Sequence, residues 1–414
     1  MTDNTPTRSS PTQRLSRLRP GWICKILLAL VAVAGSLAVC ELALEMFAPA
    51  PSHRSKLSRS IRLKEHRPDS DEINVPSETY LSDTEGLEPG EYRLRTDSDG
   101  FIEPSQIHEH ADLQIFFLGG SSTECEFVPE RQRFPYLAGR SLEKTTALRV
   151  NSFNGGNSGN HSMHCNLILL GKIVPRRPDM VVLMECINDL ITLTYTGSYW
   201  NRSEQRSIIV ETSPLELAAL RRASPIKGAE ALLKLTFPEI YLRCRAARDR
   251  FRTSGQGGAS DEWASLRNRK LQYDPKQILS EYRRSLEMFC RVCRTYGIEP
   301  ILMTQPNRCV AEPSPVVRRA FEKSVVGMDF PYDRFRGELA HFNEAIRSVA
   351  AEQTVFLIDL ERLVPKEASH MYDIVHYNAV GSEFVAKIVA EKLREHLPDP
   401  ARRADGGRQS APGS

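Results

Sequence analysis

Apolar residues along this chain gather in short runs of strand length, at Leu113–Leu118, Leu148–Phe153, Met180–Met184, Pro300–Met303 and Val355–Ile358. Between them apolar residues recur every three or four positions, at Phe134–Leu142, His161–Ile173, Gln277–Tyr296, Gly337–Val349 and Ala379–His396. The short runs read as strands buried on both faces, and the longer period belongs to helices with one face in a core. Strand and helix in alternation predict an α/β domain, doubly wound around a parallel sheet. Right-handed crossovers leave few topologies for such a sheet, and its ligands gather beyond the carboxyl ends of the strands.

Outside this pattern stand the two ends and two long connections. Residues 1–21 are polar, with Arg8, Arg14, Arg17 and Arg19, and read as a cytoplasmic basic tail. Ile26–Cys40 carries no charge, and residues 22–46 are long enough to cross a bilayer as an uncleaved signal-anchor helix. A buried N-terminal helix is the alternative, but core helices rarely run so long without a polar face. Cleavage after Ala48-Pro49-Ala50 is disfavoured by Pro51, and Val39 spoils the lipoprotein-like Leu37-Ala38-Val39-Cys40. Basic residues flank the span on both sides, so charge alone leaves its orientation open.

Residues 47–90 are polar, charged and Pro-containing, and read as a linker leaving the membrane; the globular domain is expected over 91–397. The stretch from about 190 to 275 is too long for a simple crossover and reads as a helical insertion over the functional edge. Residues 398–414 have the composition of a disordered tail.

Of the 414 residues, 41% are hydrophobic and 26% charged, as in a globular protein. The 55 basic and 52 acidic residues leave a net charge of +3, which argues against a nucleic-acid partner. The nine cysteines are irregularly spaced, unlike a disulfide framework. Cys290-Arg291-Val292-Cys293 lies inside a helical pattern with no second pair, so a helix face is favoured over zinc or redox chemistry. His161, His164 and Cys165 have no carboxylate or further histidine close in sequence, and read as core or pocket lining.

Four short motifs then change the picture: Gly119-Gly120-Ser121-Ser122-Thr123, Asn154-Gly155-Gly156-Asn157-Ser158-Gly159, Asn188-Asp189 and Asp373-Ile374-Val375-His376. Three follow expected strands and the fourth precedes the last helix, so all should meet at one sheet edge. Taken singly they are ordinary, since Ser and Thr cap helices and Asn-Asp is common in turns. Together they supply the parts of nucleophilic acyl chemistry. Ser121 sits at a strand–helix turn, and His376 is a base that Asp373 can orient. The Asn188 side-chain amide and the Gly159 backbone N–H can hold an oxyanion.

With these motifs the chain resembles the SGNH (GDSL-like) hydrolase family over roughly residues 91–397. The resemblance makes Ser121 the nucleophile, Asp373 and His376 its triad partners, and Ser121, Gly159 and Asn188 the oxyanion hole. It implies a three-layer α/β/α sandwich with a five-stranded parallel sheet of flavodoxin-like order. It also implies hydrolysis of acyl esters through an acyl-serine, without metal or cofactor, in a domain outside the cytoplasm. Two positions depart from the family: its Gly-Asp-Ser is Gly119-Gly120-Ser121, and its Gly-x-Asn-Asp is Cys186-Ile187-Asn188-Asp189.

The expected function is that of a membrane-tethered serine esterase of acyl esters, either O-acetyl groups on an envelope glycan or a lipid. Acyl transfer to a polysaccharide uses the same residues, and a non-catalytic binding protein on the same fold is the third reading. Oligomeric state is not legible in the chain.

Overall fold

Five strands build the central sheet: β1 (Leu113–Gly119), β2 (Val150–Gly156), β3 (Met180–Met184), β4 (Glu299–Met303) and β5 (Phe356–Ile358). All pair in parallel, in the order β2-β1-β3-β4-β5, the flavodoxin-like arrangement. The computed structural model describes residues 63–201, 206–212, 273–324 and 330–397, the strand Ser58–Ile61 and a few helical positions between 25 and 32.

Side chains alternate along β1 because successive residues of a strand point to opposite faces. Phe116 and Leu118 enter a core with Phe153, Val181, Leu183 and Leu302. Over them lie α3 (Ser162–Ile168), α4 (Ile187–Thr196), α5 (Pro275–Thr295) and α6 (Tyr332–Glu352). Ile115 and Phe117 enter the other core, with Val182, Met184, Ile301 and Ile358. That face is covered by α2 (Phe134–Thr146) and α7 (Ala379–His396). The result is a three-layer α/β/α sandwich, and each fully buried Phe or Leu contributes about 1.5–3 kcal/mol. Phe116 and Phe153 stack with ring centroids 4.3 Å apart across the β1–β2 pair. Truncating either to alanine should cost about 3–5 kcal/mol.

Register places the chemistry. Gly119 lies opposite Gly156 on one side and Met184 on the other, so β1, β2 and β3 end level. The segments that follow them therefore leave the sheet at one edge, as the motif positions predict.

The linker expected over 47–90 is not what the described part of that stretch forms. Asp71–Asn74 pairs antiparallel with Tyr92–Arg95, and a short helix spans Glu78–Ser82. Leu87, Tyr92 and Tyr372 form a small apolar cluster with Tyr80, Leu81 and Phe127 packed against it. Polar ties do the rest: Lys172 pairs with Glu65 at 2.5 Å, and Asn160 donates to the Lys64 carbonyl at 3.1 Å. A polar sequence here reflects ion pairing on the domain surface rather than freedom from it.

Residues 59–211 and 232–414 form one compact unit, while the other, 1–58 with 212–231, falls almost wholly outside the described residues. The expected membrane helix at 22–46 is described only at Lys25, Leu28, Ala29, Val31 and Ala32, which are helical and exposed. Among the described residues no helix is long and apolar enough to cross a membrane. Of the expected insertion, α4 runs to Thr196 and a short strand spans Ile209–Thr212. Residues 213–272 and the tail from 398 lie outside the described residues.

Candidate active site

Where β1 ends, Gly120 leads into a single helical turn, α1 (Ser121–Glu124). No intrahelical carbonyl serves the first amides of such a turn, the Ser121 N–H among them. The Ser121 hydroxyl lies 2.6 Å from His376 Nε2, and His376 Nδ1 lies 2.6 Å from Asp373 Oδ2. Asp373 Oδ1 accepts the backbone N–H groups of Val375, at 3.0 Å, and His376, at 2.8 Å. That turn holds the carboxylate and the ring in one rigid unit. A carboxylate at Nδ1 requires the proton there, which leaves Nε2 as the acceptor for the serine hydroxyl. The Tyr372 ring stacks on the imidazole, 5.6 Å between centroids.

Electrostatics favour a charged imidazole. Burial works against the imidazolium, but the Asp373 carboxylate outweighs it, helped by Glu126 and Glu124, and the His376 pKa is raised. Burial likewise works against the Asp373 anion, yet His376 and two backbone N–H groups hold its pKa below the ordinary aspartate value. The ring remains reachable, with 24% of its side chain exposed.

The other two blocks close around Gly120. A Cβ there would stand 2.4 Å from Asn188 Nδ2, 3.0 Å from Glu185 Oε1 and 3.3 Å from the Asn160 carbonyl. Only a residue without a side chain lets the Asn188 amide lie this close to the backbone beside Ser121. Asn188 stands in the first turn of α4, whose Ile187 N–H donates to Gln305 Oε1 at 2.8 Å. Gly159 adopts φ +75°, the left-handed region that glycine enters without strain. The loop before it is tied to β1 by the Asn157 N–H, which donates to the Gly119 carbonyl at 3.1 Å.

The two departures from the family pattern have local accounts. Position 120 lacks a carboxylate, and the Glu185 carboxyl occupies the adjoining space. Glu185 is buried, and burial with Asp189 nearby drives its pKa well above the usual carboxylate range, which favours its neutral form. Cys186 turns its side chain into the core, with Sγ 3.8 Å from the Leu339 carbonyl on α6, away from Asn188.

Further residues, inside and outside the motifs, complete the arrangement. Gln305, just past β4, donates to Ser122 Oγ at 2.8 Å, and Ser122 in turn donates to the Val375 carbonyl at 3.1 Å. One buried amide thus joins the serine turn, the start of α4 and the Asp373–His376 turn. Asp189 accepts the Ser162 N–H at 3.1 Å and the Tyr199 hydroxyl, fastening the start of α3 and the aromatic loop to α4. Burial raises the Asp189 pKa to about 6 against these hydrogen bonds. Glu124 lies 2.9 Å from His66 Nε2 and accepts the Ser158 hydroxyl. Arg206 is buried, and its Nη1 donates to the Gly159 carbonyl at 2.8 Å and to Asn188 Oδ1 at 3.3 Å. Gln305 carried one signal, a polar residue at a strand end; nothing local marked Arg206.

Neither of the other candidate clusters supplies a hydrogen bond to Ser121, His376 or Asp373. His161 and His164 are buried with rings stacked at 3.7 Å. Burial pushes His161 down to about 3 and His164 lower still, so both are neutral. Cys290 and Cys293 are buried on α5 inside the core. No group of His, Cys, Asp and Glu suited to a metal ion occurs among the described residues.

Comparison with protein-family profiles and with curated proteins gives no match. Among solved structures, the chain is similar to an α/β hydrolase enzyme from the metagenome of Lake Arreo, Spain, at 14% identity and TM-score 0.39, covering 70% of this chain and 98% of that one. An acetylxylan esterase from Geobacillus stearothermophilus is similar at 14% identity and TM-score 0.38, covering 68% and 94%. A lipase/acylhydrolase from Enterococcus faecalis is similar at 15% identity and TM-score 0.38, covering 69% and 97%. At such distance neither activity nor substrate passes from them to this chain.

Proposed function

We propose that this chain is a serine esterase of the SGNH type, hydrolysing acyl esters through an acyl-serine at Ser121. The observation that carries the proposal is the relay of two 2.6 Å contacts from Ser121 through His376 to Asp373. In it the Ser121 oxygen bonds to the ester carbonyl carbon while its proton passes to His376 Nε2. The imidazolium so formed is stabilised by Asp373, whose depressed pKa keeps it ionised. Negative charge gathers on the former carbonyl oxygen, where the Ser121 and Gly159 N–H groups and the Asn188 amide are the donors. Collapse breaks the ester C–O bond, and the departing alcohol takes the proton from His376. Water then repeats the sequence on the acyl-serine, and the acid leaves.

The proposal includes a membrane tether over residues 22–46, with the catalytic domain on the extracytoplasmic side, where an O-acetylated envelope glycan or a lipid would be the substrate. The charge-free Ile26–Cys40 stretch supports the tether. The test of the chemistry is labelling with a fluorophosphonate, followed by peptide mass spectrometry. The expected adduct is on Ser121, lost in Ser121→Ala and in His376→Ala. Labelling elsewhere, or none in protein that hydrolyses p-nitrophenyl acetate, overturns the assignment.

A further inference from the structure

We infer that Arg206 is a positioning residue of the oxyanion site, one guanidinium that orients the Asn188 amide and holds Gly159 at the same time. The inference rests on the esterase reading above. Asn188 presents two chemically opposite ends, an NH2 that would stabilise an oxyanion and a carbonyl that would repel it. Which end faces Ser121 must be imposed from outside the side chain. Arg206 Nη1 donates to Asn188 Oδ1 at 3.3 Å, which turns Nδ2 away from the guanidinium. Nδ2 is the atom that lies against Gly120, next to the nucleophile. A guanidinium has donors only, so it cannot accept the flipped amide. The reverse orientation would set an NH2 against a buried cation.

The same nitrogen donates to the Gly159 carbonyl at 2.8 Å. Gly159 has the loosest backbone of any residue type, and holding its carbonyl limits the ψ that a free glycine would explore. Arg206 is itself held: it is 2% exposed, and its own carbonyl accepts His161 Nε2–H at 3.1 Å. His161 is neutral, stacks on His164 and lies tilted against Tyr199, whose hydroxyl donates to Asp189. The charge of Arg206 bears on Asp189 and Glu185, the acidic groups on either side of Asn188. Arg206 is thus built into the oxyanion site rather than laid over it.

Lysine keeps the charge and most of the stem, but its ammonium stops one bond short of the position of Nη1 and is not fixed in a guanidinium plane, so Arg206→Lys isolates the geometry. With p-nitrophenyl acetate as probe, Arg206→Lys should lower kcat about 10- to 100-fold, no more than the donor it orients is worth, and change KM by less than about threefold. In an Asn188→Ala background the same change should lower kcat by clearly less than it does in the wild-type background, because one of the two groups it acts through is gone. Arg206→Ala should recover part of its kcat when guanidinium chloride is added at non-denaturing concentration. Thermal unfolding of each variant separates lost fold from lost function, and Arg206→Lys decides if Arg206→Ala fails to fold. A folded Arg206→Lys with wild-type kcat overturns the inference, as does a full loss in the Asn188→Ala background. If wild-type protein neither hydrolyses the ester nor labels at Ser121, the esterase reading falls and takes this inference with it. If wild-type protein does both and the Arg206 variants match it, only this inference falls.

Discussion

Gly120→Ala is a one-carbon change that should separate catalysis from stability. The added Cβ would stand 2.4 Å from Asn188 Nδ2, about 1 Å inside ordinary contact distance. It would also stand 3.0 Å from Glu185 Oε1 and 3.3 Å from the Asn160 carbonyl, so it closes the space on three sides. The tightest clash is with the tip of a side chain, which can be relieved by rotating Asn188 without moving the sheet. The cost in stability should therefore fall at the low end for overpacking, about 1 kcal/mol, or no more than about 4 °C in Tm. The cost in rate is larger, because the displaced atom is the proposed oxyanion donor. Misplacing such a group by 1 Å can cost about 10²-fold, and losing it altogether about 10²–10³-fold in kcat. Gly120→Asp should be at least as damaging, since it adds a second carboxyl beside Glu185. The assay is kcat and KM on p-nitrophenyl acetate, with thermal unfolding on the same preparations. A Gly120→Ala enzyme with kcat within about threefold of wild type refutes the placement of Asn188 in the oxyanion site. So does an equal loss from Gly120→Ala in an Asn188→Ala background.

Ser121→Ala should abolish ester hydrolysis with little change in Tm, and His376→Ala should lose about as much, because nucleophile and base act as a unit. Asp373→Asn should fall between these and Asn188→Ala in the same rate assay, since the ring keeps its place but loses its charge partner. Only neutral His376 can take the serine proton, and its pKa is raised, so kcat/KM should climb with pH through a midpoint above 6.5. Glu126 adds to that raise and is itself pushed up to about 7, chiefly by burial, so Glu126→Gln should move the midpoint to lower pH; a shift upward contradicts the electrostatics. The full chain should fractionate with membranes and resist carbonate extraction, and removal of residues 1–46 should release it; release of the intact chain by carbonate would rule out a spanning helix.

The sheet was legible because its strands are buried on both faces and so read as apolar runs. The expected Leu113–Leu118, Met180–Met184 and Pro300–Met303 differ from the observed strands by at most one residue at an end. Convergence of the motifs was legible too, since three follow a strand end and the fourth precedes the last helix. Residues 63–90 were not. They bury one leucine, Leu87, and hold to the domain through groups such as Glu85 with Arg308 and His66 with Glu124. Each such partner lies tens or hundreds of residues away, and polar composition cannot say whether an ion pair will form. The CxxC shows the converse, since residues of a type associated with metals were placed by their helix inside an apolar core.

What escaped the sequence most completely is the polar layer beneath the site. Gln305 reaches Ser122 across 183 residues and the Ile187 N–H across 118, while its own backbone is clasped by Asn343 at 2.9 and 3.1 Å. Ser285 takes hydrogen bonds from Ser162 and Asn166, which lie on a different helix. A buried amide or hydroxyl left unpaired costs about 1–3 kcal/mol, so each of these groups tolerates few alternative arrangements. Apolar packing brings the strand ends level but would allow neighbouring turns to slide by fractions of an ångström. The directional bonds of this layer remove that freedom, and a relay with two 2.6 Å contacts needs it removed. Periodicity reports which faces are buried, whereas these bonds depend on which distant loop meets which, so only the folded chain reveals them.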